Sequence, residues 1–187
     1  MKRTVLFFTI VMFASVSMVA QTKSVDVKTS DITWLGKKVT GEHTGKITFK
    51  SGSLEMQDKK LVGGEFVVDM GTITCTDIEN DDYNAKLVGH LKSDDFFGVE
   101  THPVSKLKLK KVKAKGDGYE VHGDLTIKGK THPVSFHVSN SGNTFEGKLV
   151  VDRTKFDVRY GSGKFFDNLG DKMIYDEFEL AFKVVVL

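Results

Sequence analysis

The amino-acid sequence predicts an all-β fold, in which an eight-stranded antiparallel β-barrel carries one inserted α-helix. Three observations support this prediction. Apolar and polar residues alternate with period two in about eight separate segments, as in strands that are wetted on one face. Turn signals rich in glycine, serine and asparagine separate these segments. Only one stretch of the chain has the apolar spacing of a helix.

The alternation is clearest in three segments, residues 65–70, 119–128 and 177–186. Weaker copies lie around Ile32–Trp34, Ile47–Phe49, Leu107–Leu109, Val134–Val138 and Phe145–Val151. Eight strands spread over about 167 residues leave roughly 20 residues for each strand and its connection. That spacing is longer than the 8–12 residues typical of a packed sandwich, so it favours a tall barrel.

The apolar faces of these strands would line the interior of the barrel. An eight-stranded barrel can fill its interior with side chains or hold one small ligand, so both outcomes remain open at this point. If a ligand binds there, the residues expected to contact it are Ile32, Trp34, Phe49, Phe66, Val68, Met70, Leu107, Leu109, Leu125, Ile127, Phe136, Phe145, Phe178 and Phe182.

The predicted helix covers about residues 82–92. Tyr83, Leu87 and Leu91 fall four residues apart there, which places them on one face of a helix. Asp81 or Asp82 is available as the N-cap.

Residues 1–20 have the layout of a secretory signal peptide. The segment begins with Lys2 and Arg3, continues with an apolar stretch from Val5, and ends in small residues up to Ala20. A retained membrane anchor is the alternative, but 16 residues interrupted by polar ones are short for a span of about 20. We therefore predict export to the periplasm or medium without a stable membrane anchor, with residues 21–187 as one domain.

Composition excludes several function classes. The formal charge is +2, and removal of Lys2 and Arg3 would leave 25 basic and 25 acidic residues, so no nucleic-acid partner is expected. Cys75 is the only cysteine, which rules out an intrachain disulfide and a CxxC pair. The balance of apolar and charged residues is that of a globular domain.

Motifs that carry catalysis are missing from the sequence. It contains no GxSxG, HExxH, P-loop or GxGxxG pattern. Among its six histidines, His122 and His137 fall on the polar faces of strands, and His102 and His132 fall at strand entries. We therefore expect no enzymatic activity, no cofactor and no metal site. Cys75 is interpreted as a small buried hydrophobe, with a reactive thiol as the alternative.

Four segments resemble the YceI-like family of secreted lipid-binding barrels, in the form common among Bacteroidota. They are MGTITCT at 70–76, KLVGHLKSDDFF at 86–97 with Pro103 following, YEVHGDLTIKGKT at 119–131, and DRTKFDVRYGSG at 152–163 with IYDEF at 174–178. Their order and spacing agree over nearly all of the chain after residue 20. One departure is visible, since Leu107 or Leu109 stands where many members have phenylalanine.

The resemblance implies an extended, lipocalin-like barrel with a helix. It also implies that the barrel holds a polyisoprenoid, a quinone-like molecule or another long-chain lipid, and it implies no catalysis. Candidates for headgroup contact at the mouth are Arg153, Arg159 and Tyr160, together with Asp176. The alternative for these residues is a pair that fixes a loop, such as Arg153 with Asp176, because buried arginines are usually paired.

Three functions remain open from the sequence. The first is a carrier or sequestering protein for a long-chain isoprenoid or other lipid. The second is an enzyme on a hydrophobic substrate, and the third is a packed barrel that acts through its surface without a ligand. A homodimer is also left open.

Overall fold

The computed structural model describes residues 20–187, so the predicted signal peptide lies outside the described residues except for Ala20. The described chain contains nine strands and one α-helix. In chain order they are β1 (Gln21–Ser24), β2 (Asp31–Lys38), β3 (Gly41–Gln57), β4 (Lys60–Asp69), α1 (Asp81–Lys92), β5 (Val104–Lys115), β6 (Gly118–Ile127), β7 (Lys130–Ser141), β8 (Thr144–Asp152) and β9 (Ile174–Val185). Short 3-10 turns cover Met70–Thr72, Arg153–Phe156 and Gly170–Lys172.

Eight of the strands close into an antiparallel barrel, as predicted. The ring runs β3-β2-β9-β8-β7-β6-β5-β4, and pairing of β3 with β4 closes it. The ninth strand, β1, was not predicted. It pairs with the second half of β3, and Val25 just after it forms a bridge with Val186, so β1 takes the place of β2 at one end of the barrel.

A segment that we call the strap (residues 72–77) takes the place of β4 at the other end. The strap lies beside the first half of β3, where Thr74 N donates to Lys46 O and Thr76 N donates to Thr44 O, both at 2.9 Å. Gly45 makes this approach possible, because a Cβ there would lie 1.8 Å from the carbonyl oxygen of Thr74. The long strand β3 is therefore paired on both sides along its length.

Helix α1 confirms the predicted helix to within one residue at its start. The expected N-cap was wrong, because the side chain of Asn80, rather than Asp81 or Asp82, accepts a hydrogen bond from Tyr83 N. Leu91 packs against the barrel core, whereas Tyr83 is 68% exposed although it shares the spacing of that face. Within residues 20–187, no helix is long and apolar enough to cross a membrane.

One seam in the barrel is only partly hydrogen-bonded. Strands β7 and β8 pair solely over Val138–Ser141 and Thr144–Gly147, next to their connecting turn. The first two thirds of β7, from residue 130 to 137, have no ladder partner on β8, although they pair fully with β6. The β7–β8 ladder therefore covers only the last third of β7.

Candidate functional site

The barrel encloses an apolar cavity of about 90 Å³. Every one of its lining residues is apolar, and together they come from all eight barrel strands. The lining residues are Ile32, Phe49, Leu54, Leu61, Phe66, Val68, Leu107, Leu109, Val121, Leu125, Phe136, Val138, Phe145, Leu149, Leu180, Phe182 and Val184. A space of this kind offers no group for acid–base or nucleophilic chemistry and suits a nonpolar chain.

Most of the residues that the sequence singled out for the interior line this cavity. They are Ile32, Phe49, Phe66, Val68, Leu107, Leu109, Leu125, Phe136, Phe145 and Phe182. Their common origin is the period-two alternation, which places every second side chain of a strand on the same face.

The other four predicted residues lie elsewhere. Ile127 is buried in the core, and so is Met70, which lies in the turn after β4 and accepts a hydrogen bond from Ser105 Oγ at its Sδ (3.0 Å). The indole Nε1 of Trp34 donates to Thr74 O at 2.9 Å and so ties β2 to the strap. Phe178 packs edge-on against Phe97, with ring centroids 6.2 Å apart. These four side chains make packing or hydrogen-bond contacts outside the cavity. The alternation of a strand does not reveal such contacts.

Seven lining residues were not among those predicted. Five of them lie on the apolar faces of the predicted strands, so the alternation in the sequence already marked them as inward-facing. They are Val121, Val138, Leu149, Leu180 and Val184. Leu54 and Leu61 lie on either side of the β3–β4 turn, near a register shift between Glu55 and Met56. Such a shift inserts a residue and breaks the period, which hides the inward-facing positions beyond it.

The cavity is narrow because aromatic side chains fill part of the barrel. Phe49 and Phe66 lie with ring centroids 5.8 Å apart, and Phe136 and Phe182 meet edge-on at 5.6 Å. Pockets that hold drug-sized ligands usually measure about 300–1,000 Å³, and a cavity of about 150 Å³ holds benzene. A long chain therefore fits only if some of these rings rotate.

The partly bonded seam between β7 and β8 is where the wall can yield most easily. A groove of about 600 Å³ lies on the outside of the barrel near this seam, and its lining includes His137, Gly147 and Phe182. Phe182 also lines the interior cavity, so this residue borders both spaces.

Arg153 was a candidate for headgroup contact, and the structure places it in a buried clasp instead. Its side chain is 2% exposed, and Nε, Nη1 and Nη2 donate to the carbonyl oxygens of Tyr175 (3.1 Å), Val158 (2.8 Å) and Ile174 (3.0 Å). Asp176 Oδ1 lies 3.9 Å from Nη2. Burial lowers the pKa of the guanidinium, and the carboxylate of Asp176 opposes that shift.

The clasp joins three parts of the chain. Arg153 lies at the end of β8, Val158 follows the turn after it, and Ile174 and Tyr175 begin β9. The loop of residues 153–173 is thereby fixed at both ends. This agrees with the loop-fixing alternative, although backbone carbonyls rather than Asp176 are the principal partners.

Arg159 and Tyr160, the other mouth candidates, lie on the surface of that loop. Arg159 Nε lies 2.7 Å from Asp157 Oδ1, and its guanidinium covers the half-exposed ring of Phe165 at 4.9 Å. Tyr160 is 46% exposed and packs edge-on against His90 at 4.4 Å. Both side chains are accessible to a ligand headgroup, unlike Arg153.

Comparison with known proteins identifies relatives of this chain. Residues 23–186 match the family model described as a YceI-like domain. A UPF0312 protein of Pseudomonas aeruginosa is 28% identical over 129 residues, which are 64% of this chain and 65% of that protein. The matched stretch spans less than two thirds of the length of such curated relatives, down to 29% for one from Photorhabdus laumondii.

Solved structures share the same fold. BcnA of Burkholderia cenocepacia is 25% identical and superposes with a TM-score of 0.68, over 87% of this chain and 99% of that one. A polyisoprenoid binding domain from Saccharophagus degradans, implicated in plant cell wall breakdown, is 15% identical. It superposes with a TM-score of 0.59 over 88% of this chain and 97% of that one.

Proposed function

Because the chain belongs to the YceI-like domain family, we propose that it is a lipid-binding protein without catalytic activity. It would hold a polyisoprenoid, a quinone-like molecule or another long-chain amphiphile inside the barrel, for transport or sequestration. The observation that carries this proposal is the closed barrel whose cavity is lined by apolar side chains alone. The polyisoprenoid binding domain from Saccharophagus degradans, which has the same fold, adds support.

The energetics favour a long chain over a small polar ligand. Burial of one methylene contributes about 0.8 kcal/mol, so ten buried carbons contribute on the order of 8 kcal/mol before ordering costs of several kcal/mol. A polar ligand would lose its hydrogen bonds to water and find no partner on the cavity wall. Affinity therefore comes from the apolar chain, and selectivity must come from residues outside the cavity.

A bound long-chain lipid requires more space than the cavity of about 90 Å³ inside the barrel. We propose that the hydrocarbon tail of the lipid displaces the rings of Phe136 and Phe182 near the β7–β8 seam. Few ladder bonds resist movement of the wall there. The headgroup would then remain at the surface. Arg159 and Tyr160 are the candidates to contact it, because the donors of Arg153 already bind carbonyl oxygens.

Export is part of the proposal. The basic start, the short apolar stretch and the small residues up to Ala20 are typical of a cleaved signal peptide. The site of action would be the periplasm or the medium. N-terminal sequencing of the protein recovered from outside the cytoplasm tests the predicted cleavage. Recovery of that protein with residues 1–20 still attached would contradict the prediction.

The main experiment combines lipid extraction with one substitution on each face of β4. Val68 lines the cavity, and Val62 on the same strand is 39% exposed. Mature wild-type protein, Val68→Trp and Val62→Trp are purified alike, extracted with organic solvent and analysed by mass spectrometry. Melting temperatures are compared on delipidated samples, because a bound ligand raises apparent stability.

We expect lipid in the wild type and in Val62→Trp, and much less in Val68→Trp. The indole of Val68→Trp occupies space that the ligand needs, while Val62→Trp adds the same group to the outer surface. If the interior can widen, the melting temperature of delipidated Val68→Trp falls only slightly. Overpacking of a filled core would instead cost about 1–3 kcal/mol or more.

A packed barrel that acts through its surface is the second candidate, and the small volume of the cavity favours it. If the barrel is packed, we expect no extractable lipid in the wild type, and we expect Val68→Trp to unfold. This combination would overturn the lipid-binding proposal for this chain.

A further inference from the structure

We propose that His43, Cys75 and Asp77 form a site for a divalent transition-metal ion, with Zn²⁺ as the best match. The three side chains each offer one ligand atom, and these atoms lie within 4.8 Å of one another. The site stands apart from the apolar cavity and is independent of the proposed lipid binding. It also replaces the expectation from the sequence that no metal binds.

The site is assembled from two neighbouring segments. His43 lies on β3 and Cys75 and Asp77 lie on the strap, 32 and 34 residues further along the chain. Thr74 N and Thr76 N bond to β3 on either side of Cys75 and hold the two segments in register. This separation in sequence explains why ligand spacing did not indicate the site.

Two short contacts join Asp77 to the other two members of the cluster. His43 Nδ1 lies 2.9 Å from Asp77 Oδ2, and Cys75 Sγ lies 3.2 Å from Asp77 Oδ1. Zinc–ligand bonds of about 2.0–2.3 Å place neighbouring ligand atoms about 3.4–3.6 Å apart in a tetrahedron. These two contacts therefore need to lengthen by only about half an ångström to admit the ion. The ligand atoms of His43 and Cys75 lie within 4.8 Å of each other.

Surrounding groups hold the ligands in place. Thr44 N donates to Asp77 Oδ1 at 2.9 Å, and Asn84 Nδ2 of α1 donates to Cys75 O at 3.0 Å. Hydrogen bonds of this kind orient ligands and contribute to metal affinity. Burial would raise the pKa of the Asp77 carboxyl, but the hydrogen bonds from Thr44, His43 and Cys75 outweigh it and bring the pKa to about 2.

The donor types select the metal. A thiolate, an imidazole and a carboxylate together suit Zn²⁺ better than Mg²⁺ or Ca²⁺, which prefer oxygen ligands alone. Cys75 is buried, whereas the side chains of His43 and Asp77 are 32% and 31% exposed, so an ion can reach the site from solvent. Three protein ligands leave the fourth position for water.

The arrangement fits a metal better than a catalytic triad. The Cys75 thiol donates to Asp77 rather than to His43, so the imidazole is not placed to remove its proton. Burial raises the pKa of this thiol, and its hydrogen bond to Asp77 adds to the effect. Metal binding would displace that proton to solvent and leave the thiolate on the ion.

The test uses untagged mature protein, with Cd²⁺ as a spectroscopic probe and Zn²⁺ for affinity. Thiolate-to-Cd²⁺ absorption in the ultraviolet reports on Cys75 directly, and competition with a chelator gives the Zn²⁺ affinity. The variants are Cys75→Ala and His43→Gln. The matched control is His137→Gln, because His137 also faces a carboxylate, Asp117 at 3.6 Å, in a pair that the metal-ligand cluster does not include.

We expect the thiolate absorption in the wild type and its complete loss in Cys75→Ala. His43→Gln should weaken Zn²⁺ binding by more than about tenfold, since loss of even an outer-shell partner costs 10- to 100-fold. His137→Gln should match the wild type. Absence of the thiolate absorption in the wild type would overturn the proposal. If Cys75→Ala does not fold, His43→Gln decides, and an unchanged Zn²⁺ affinity in that variant refutes the site.

Discussion

The buried clasp at Arg153 offers a direct test of how this barrel is stabilised. Replacement of Arg153 by methionine keeps a long unbranched side chain but removes all the donors that reach three carbonyl oxygens. Asp176 then has one cationic partner instead of two, because only Lys164, at 3.1 Å, remains. The apolar stem remains able to pack near Phe96, over whose ring the guanidinium lies at 5.6 Å.

The expected loss follows from the bonds that are broken. A buried acceptor left without a donor costs about 1–3 kcal/mol, and removal of one partner from a buried ion pair costs about 3–5 kcal/mol in all. These two figures describe overlapping interactions and do not add. We therefore expect Arg153→Met to lower the free energy of unfolding by about 3–5 kcal/mol, a large fraction of the stability of a typical domain.

Urea denaturation of delipidated protein, followed by circular dichroism, measures this loss. Arg159→Met is the matched control. Its guanidinium pairs with Asp157 at 2.7 Å but is 58% exposed, so the expected loss is below about 1 kcal/mol. A loss below about 1 kcal/mol in Arg153→Met itself would refute the clasp. A folded Arg153→Met protein of normal stability that no longer retains lipid would instead place Arg153 at the headgroup.

Further predictions concern Asp152, the last residue of β8, and two glycines, one in open space and one packed against backbone. Burial would raise the pKa of Asp152, but hydrogen bonds from Thr154 and Lys164 outweigh it and lower the pKa. The ionised Asp152 carboxylate therefore stabilises the fold fully at a pH above about 3.9, the pKa of aspartate in the unfolded chain. This stabilisation is lost as the pH falls through the lower pKa of Asp152 in the folded protein. Acid denaturation should be less steep for Asp152→Asn over that range. Gly89→Ala in α1 should raise the free energy of unfolding by about 0.5–1 kcal/mol, because its Cβ meets nothing within 4 Å. Gly45→Ala should instead lower the melting temperature, since its Cβ would collide with Thr74 O, and a normal melting temperature would refute the docking of the strap.

The barrel was predictable because alternation is a local property of each strand. A helix of four-residue spacing between such strands was equally visible, and its range differs from α1 only at the first residue. The N-cap of α1 could not be predicted, because Asn80 and the two aspartates that follow it are residue types equally favoured at that position. Backbone geometry, which brings the Asn80 side chain to Tyr83 N, decides between them.

Contacts between distant segments were not predictable. The partners of Arg153 are carbonyl oxygens, which every residue carries, so no side-chain pattern marks Val158, Ile174 or Tyr175 as partners. The metal-ligand cluster depends on the strap lying beside β3, and nothing in the local sequence sets that register. Sequence patterns reveal which face of an element is buried, whereas the pairing of segments depends on the folded chain.

Closure of the ring explains why stability and binding can be separated in this molecule. All neighbouring strands of the ring are joined by ladders, including β3 with β4, although the β7–β8 ladder covers only Val138–Ser141 of β7. The clasp and the strap add fixed contacts at the ends of the strands, outside the cavity. The side chains in the middle therefore contribute packing alone, and the β7–β8 seam has the fewest ladder bonds that would resist their rearrangement. A substitution such as Val68→Trp consequently acts first on the volume open to a ligand, and substitutions at Arg153 or Gly45 act first on the fold.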